Sequence, residues 1–196
     1  MDPQQPRSAG RPRDPGLDVA IRAAAIELLA EGGLDACALD EVARRAGVGK
    51  ATIYRRWPSK EALVLDAFRN ATTLPVPEGD RGSLVADARA HLEGLRAALG
   101  TPLARATRQL TPDLPRHPEL VEVLRDGRAR AWDVATAAVV RRAEERGEVA
   151  PGGFPELALR AAAALLTERF LMQMGPVDDT LVEELLDAVV RPHLHS

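Results

Sequence analysis

The stretch "GVGKATIYRRW", residues 47–57, holds two glycines, a lysine, a threonine, the chain's single tyrosine, two arginines and one of its two tryptophans. Two chemistries compete for it: a loop that cradles a nucleotide phosphate, and a helix that reads DNA. A phosphate loop of the form G-x-x-x-x-G-K-[ST] needs glycine at 44 and a hydroxyl at 51. The sequence has Arg44 and Ala51 there. The preceding segment, "LDEVARRAG", carries helical periodicity and not the strand that such a loop follows. The nucleotide reading therefore fails on both counts.

Working outward, Leu39, Val42 and Ala43 make one face of a short helix over 38–46, with Asp40 and Glu41 in the first turn, where carboxylates suit the helix dipole. Gly47-Val48-Gly49 breaks it, and a third helix runs from Lys50 to about Trp57. Pro58 ends that helix and Ser59 N-caps a fourth, whose apolar positions include Leu63, Ala67 and Phe68. Upstream, Ile21, Ala25, Leu28 and Leu29 fall at i, i+4, i+7 and i+8, one stripe of a first helix that Gly32-Gly33 terminates.

Two short helices joined by a tight glycine-containing turn have the form of a helix-turn-helix, whose second helix enters the major groove. Lys50 and Thr52 are the candidate base readers, a lysine donating to guanine and a threonine methyl touching thymine. Tyr54, Arg55 and Arg56 are the right types for phosphate oxygens. Lys60, one residue past the Ser59 cap, adds its charge to the free N–H groups of a helix end. Ala51 and Arg44 complete the predicted DNA-contact set, while Trp57 is read as packing that holds the recognition helix from behind.

Composition agrees with an all-α protein. The 196 residues are rich in Ala, Leu, Arg and Glu, and aromatics are only 3%, which favours helix over sheet. The net charge is -3, yet residues 1–60 carry ten Lys/Arg against eight Asp/Glu, and Arg44 through Lys60 holds six positive residues and no negative one. Charge distribution, more than its sum, decides whether DNA is a partner. Cys37 is the single cysteine, so no intramolecular disulfide forms, and it is read as a small buried thiol. No signal-like apolar segment opens the chain and no run reaches the roughly 18 apolar residues of a membrane span, so a cytoplasmic location away from the membrane is expected.

Residues 1–16, Pro-, Gly- and Arg-rich, are predicted to be a disordered basic arm, in which Arg7, Arg11 and Arg13 are of the type that enters a minor groove. Residues 17–72 make the DNA-binding domain, and "TLPVPEGDRG", 73–82, opens a second domain running to 196. Its helices are predicted at 83–99, 102–110, 118–146, 154–173 and 178–191, giving about nine in the whole chain. In the last of them, Leu181, Leu185 and Ala188 form one stripe beside Val182, Leu186 and Val189, a wider apolar face than one core contact requires. With the Ala161–Ala164 run of the preceding helix, this points to a homodimer whose interface includes Leu157, Ala161, Leu165, Leu181, Leu185 and Ala188.

The 48 residues from Ile21 to Phe68 resemble the DNA-binding domain of the TetR/AcrR family of transcriptional regulators. The resemblance is carried by Ala24-Ala25, Gly33, Val42-Ala43, Ala46-Gly47-Val48, the Tyr54 to Trp57 block and Ser59-Lys60-Glu61-Ala62-Leu63. "RRAEERGEVAPG", 141–152, is similar to one common C-terminal subtype. Two positions depart from the family pattern: Ala38 replaces a threonine N-cap worth about 1 kcal/mol, and Gly49 stands where serine is frequent. No DNA contact is assigned to either.

The resemblance implies a dimeric regulator, a repressor, that binds a pseudo-palindromic operator in double-stranded DNA and is released by a small-molecule effector. The pocket it implies lies in the second domain, with Leu92, Leu103, Thr107, Leu110, Trp132, Ala135, Leu166 and Phe170 as candidates. No cofactor or metal is called for. A small all-α enzyme and a ligand-independent DNA-binding module remain open, although no H-E-x-x-H, G-x-S-x-G or dinucleotide fingerprint is present. His91 and His117 stand alone and are read as surface or capping residues, and His193 and His195 lie at the end of the chain without rigid support.

Overall fold

The computed structural model describes residues 15–71, 76–125 and 130–194; the candidate arm residues Arg7, Arg11 and Arg13 lie outside them. Helix α1, Pro15–Ala36, buries Ile21, Ala25, Leu28 and Leu29 on one stripe. Its backbone leaves helical geometry at Gly32 and at Gly33, whose φ is +65°, so the predicted stop is a kink and the chain winds on to Ala36. Helix α2, Leu39–Arg45, buries Val42 and Ala43, and Ala38 before it supplies no side-chain cap. Helix α3, Lys50–Arg56, buries Ile53. Helix α4, Lys60–Arg69, is capped by Ser59, whose Oγ accepts the Ala62 N–H at 3.2 Å. Cys37 is fully buried, and burial pushes its thiol up to about 11.

The second half begins with α5, Leu84–Leu99, and α6, Pro102–Leu110, capped by Ser83 and Thr101. Helices α7, Pro118–Leu124, and α8, Arg130–Glu145, occupy the stretch expected as one helix over 118–146; residues 126–129, which would join them, are outside the described residues. Helices α9, Glu156–Leu171, and α10, Asp179–Val189, complete ten α-helices, with no strand among the described residues. No described helix is long and apolar enough to cross a membrane.

Two apolar cores result, and they do not divide at the linker. The first joins α1–α4, but Leu103, Ala106 and Leu110 of α6 and Leu120 of α7 belong to it as well. Helix α6 lies along α1 and makes the broadest helix-to-helix contact of the fold. The second core is built from α5, α8, α9 and α10 around Leu92, Val139, Leu159, Leu166 and Leu186.

A charged cluster pins the start of α5 to the end of α8. Asp87 is buried; its Oδ1 accepts the Arg81 N–H at 3.0 Å, and its Oδ2 accepts from Arg142 Nε and Arg146 Nη1, each at 3.1 Å. Glu148 Oε2 accepts the Leu84 N–H at 2.7 Å. Burial alone raises the Asp87 pKa, but the hydrogen bonds from Arg142, Arg81 and Arg146 and the Arg142 charge outweigh it and hold the carboxyl below its usual range. The group's contribution is therefore complete above the unfolded value of about 3.9 and is lost as pH falls through the folded value. Asp87→Asn is expected to lower stability at neutral pH by about 3 kcal/mol and to flatten the loss of stability below about pH 4, as read from urea midpoints across pH.

Candidate DNA interface and effector cavity

The turn between α2 and α3 depends on Gly47, whose φ of +67° is left-handed. Nothing lies within 4 Å of a Cβ built there, so the constraint is conformational and not spatial. Gly49, extended, starts α3 and leaves Lys50 and Ala51 exposed in its first turn. Tyr54 is 55% exposed, Arg55 is exposed and Thr52 is half-buried. Lys50 is paired with Asp40 of α2, and that hydrogen bond raises its pKa. Arg44 holds Glu41, with Nε 2.8 Å from Oε2, while Arg45 ties α2 to Glu31 of α1 at 3.0 Å.

Behind this surface, Asp66 of α4 is the anchor. Its Oδ2 accepts from Trp57 Nε1 at 3.0 Å and from Arg22 Nη1 at 3.3 Å, and its Oδ1 accepts from Asn70 at 2.8 Å. Trp57 is buried, so its indole N–H requires such an acceptor. The end of α3 is thereby fixed to α1 and α4 at once.

A cavity of about 650 Å³ opens among α5, α6, α7, α8 and α9. Leu95, Leu99, Trp132, Ala163 and Phe170 supply apolar wall; Thr107, Thr136 and Thr167 supply hydroxyls; and Asp133, Arg160 and Glu168 supply charge. Behind Thr136, His91 is buried, with Nε2 3.0 Å from Thr136 Oγ1 and its ring edge-on to Trp132. Thr136 donates to the Trp132 carbonyl at 2.9 Å, so its oxygen is left to accept from the His91 Nε2–H, which assigns that tautomer. Burial, with the Arg142 charge, depresses the His91 pKa to about 4, and the ring is neutral near pH 7.

Comparison with known proteins matches residues 21–67 to the family described as bacterial regulatory proteins, tetR family, and residues 78–189 to the tetracyclin repressor-like C-terminal domain. The chain belongs to the TetR family. The helix-turn-helix regulator YdeS of Bacillus subtilis is 30% identical over 90% of this chain and 89% of its own length. The DNA-binding transcriptional repressor TetR of Mycobacteroides abscessus is 35% identical, over 87% of this chain and 90% of that one. Among solved structures, the TetR-family regulator SCO0332 superposes with a TM-score of 0.58 at 30% identity, covering 88% of this chain and 98% of that one. This chain is a helix-turn-helix DNA-binding transcriptional regulator, and repression is the role typical of TetR-family proteins.

In this TetR-family structure the predicted DNA set divides. Lys50, Ala51, Thr52, Tyr54, Arg55 and Arg44 lie on or beside the exposed side of α3. Arg56 does not: its side chain is largely buried against Asp18 of α1, and its Nη1 reaches the Thr52 carbonyl. Lys60 is also turned inward, its Nζ donating to the Leu34 carbonyl at 3.0 Å beyond the α1 kink. Both cations hold helices together.

Of the pocket candidates, Thr107, Trp132 and Phe170 line the cavity. Leu92, Leu103, Leu110 and Leu166 are core leucines instead, the second and third of them facing α1, and Ala135 is not on the lining. On α8 the turn from Trp132 leads to Thr136, which was not among the candidates because its partner, His91 of α5, was expected at the surface. The anchor Asp66 was also missed, though a buried tryptophan beside α4 demanded an acceptor and that helix has only two acidic residues. His91, expected at the surface, is buried because α8 supplies a hydroxyl partner. His117 occupies the N-cap position of α7 but makes no side-chain cap bond.

Arg56→Ala is expected to lower the stability of the protein by about 1–2 kcal/mol through loss of the Asp18 pair, whereas Arg55→Ala leaves it within about 0.5 kcal/mol. Equilibrium urea melts of the two variants distinguish these roles.

Proposed function

We propose that this regulator is a cytoplasmic homodimeric repressor that acts without catalysis and is released from its operator by a small-molecule effector. The observation that carries the reading is that α6 has two working faces. Leu103, Ala106 and Leu110 pack into the core of the DNA-binding helices, while Ala104 and Thr107 line the cavity. An effector that fits the cavity better in one position of α6 than in another shifts the DNA-binding unit by its differential affinity, and by no more than that.

Dimerisation supplies the lever. Two recognition helices must enter major grooves about 34–36 Å apart, or at a multiple of that spacing, so a small rotation of each unit spoils the fit. Support for pairing through α9 and α10 comes from Leu157, 73% exposed, Leu165, 49% exposed, and the exposed Ala161 and Ala188. Leu181 is half-buried at the edge of this surface. Leu185 is not part of it, because it is buried in the chain's own second core. The cavity volume, about 650 Å³, lies within the range typical of small-molecule sites.

On DNA, Lys50 and Thr52 read bases and Arg44, Tyr54 and Arg55 hold phosphates. Ala51 brings the backbone close to the groove. Lys50→Ala is expected to change the sequence recovered by selection from random DNA. Arg55→Ala should weaken all sequences alike and reduce the slope of log affinity against log salt by about one. Parental selection and salt behaviour in both variants would overturn the assignment. A compound that releases the operator should be recovered chemically unchanged after incubation; its consumption would indicate an enzyme.

A further inference from the structure

Beside the effector cavity lies a second one of about 560 Å³, which shares Leu99 and Phe170 with it. Its remaining wall is of a different kind. Arg96 of α5 and Arg105 and Arg108 of α6 line it, and among the described residues no carboxylate does. Arg96 Nη2 reaches Asp179 at 2.9 Å, but that carboxylate lies at the surface, 81% exposed. Arg105 Nη1 donates to the Gly100 carbonyl at 2.9 Å, and Arg108 lies over the Phe170 ring, 4.8 Å from its centroid. The Nε atoms of Arg96 and Arg108 are buried with no hydrogen-bond partner.

Buried guanidinium N–H groups are costly to leave unpaired, and three cations around one small space favour an anion that accepts from them. We infer that this arginine-lined chamber takes the anionic head group, a carboxylate or a phosphate, of an amphipathic effector whose apolar part fills the neighbouring cavity. The inference rests on reading that neighbouring cavity as the effector site. The direction of binding follows from charge: on the first cavity Arg160 is paired with Asp133 at 3.4 Å and Glu168 is left in excess, whereas three arginines line the second, so the anionic head is drawn to the second. The Phe170 ring, stacked on Arg108 and shared by both spaces, is where the apolar and charged parts of the ligand meet.

The test is calorimetric titration of the full chain with dodecanoate, dodecyl phosphate and dodecanol, each below its micellar concentration. The better anion is expected to bind at least about tenfold more tightly than the alcohol, and the tighter of the two anions identifies the head group. Arg108→Gln, and independently Arg105→Met at an exposed position where folding is not at stake, should each bring the anion-to-alcohol affinity ratio down by about tenfold. If dodecanol binds as tightly as both anions, or if the ratio survives in both variants, the arginine assignment falls and the cavity reading stands. If none of the three compounds binds, both fall.

Discussion

The packing of α6 along α1 is the contact on which the arrangement depends. A helix of nine residues has few side chains to spare, and this one uses Leu103, Ala106 and Leu110 against the first core. Thr107 and Ala104 are left for the cavity, and Arg105 and Arg108 for the arginine-lined chamber. Three surfaces with different chemistry are therefore carried on one short helix. Close-packed interiors transmit displacement because they lack the free volume to absorb it. Two nominal domains joined through such a helix cannot be regarded as beads on a string.

The DNA-reading face shows the complementary requirement, which is rigidity. Asp66 collects an indole N–H, a guanidinium and an amide from three parts of the chain, and Arg56 and Lys60 add bonds to α1 and to the Leu34 carbonyl. Base readout by one or two side chains demands that α3 be placed to a fraction of an ångström. Polar groups that look available for phosphate in a linear reading are committed to that placement. Helix α3 itself has only seven residues and is too short to persist alone in water, so its geometry is borrowed from its neighbours.

The helices and their order were legible in the amino-acid sequence because their signals are local: Ser59 before a helix, Gly47 after one, apolar residues at helical spacing. The family was legible for the same reason, since Ile21 to Phe68 carries its motifs without interruption. What was not legible depends on which helix faces which. Arg56 and Arg55 are adjacent cations, and only the position of Asp18, 38 residues earlier, separates a structural arginine from an exposed one. Lys60 binds a carbonyl, which no side-chain pattern announces. Leu92 and Leu166 were candidate cavity residues because they are apolar, but apolar residues serve core and cavity wall alike, and only the packing of the helices decides which leucine, Leu92 or Leu95, faces the open space. Leu185 was misplaced for a related reason, because a helix with two apolar stripes does not say which stripe its own chain will cover.

The ion pairs on the α2–α3 surface decide what an approaching duplex first meets. Lys50 and Arg44 each hold a carboxylate of α2, Asp40 and Glu41, in the absence of DNA. Those carboxylates occupy two cations that an approaching duplex would otherwise meet free, so each pair has to open before its cation can reach DNA. Exposed pairs of this kind are worth about 1 kcal/mol or less, so opening them costs little, and less still as salt rises. On this face, positive charge is held in reserve by the neighbouring helix.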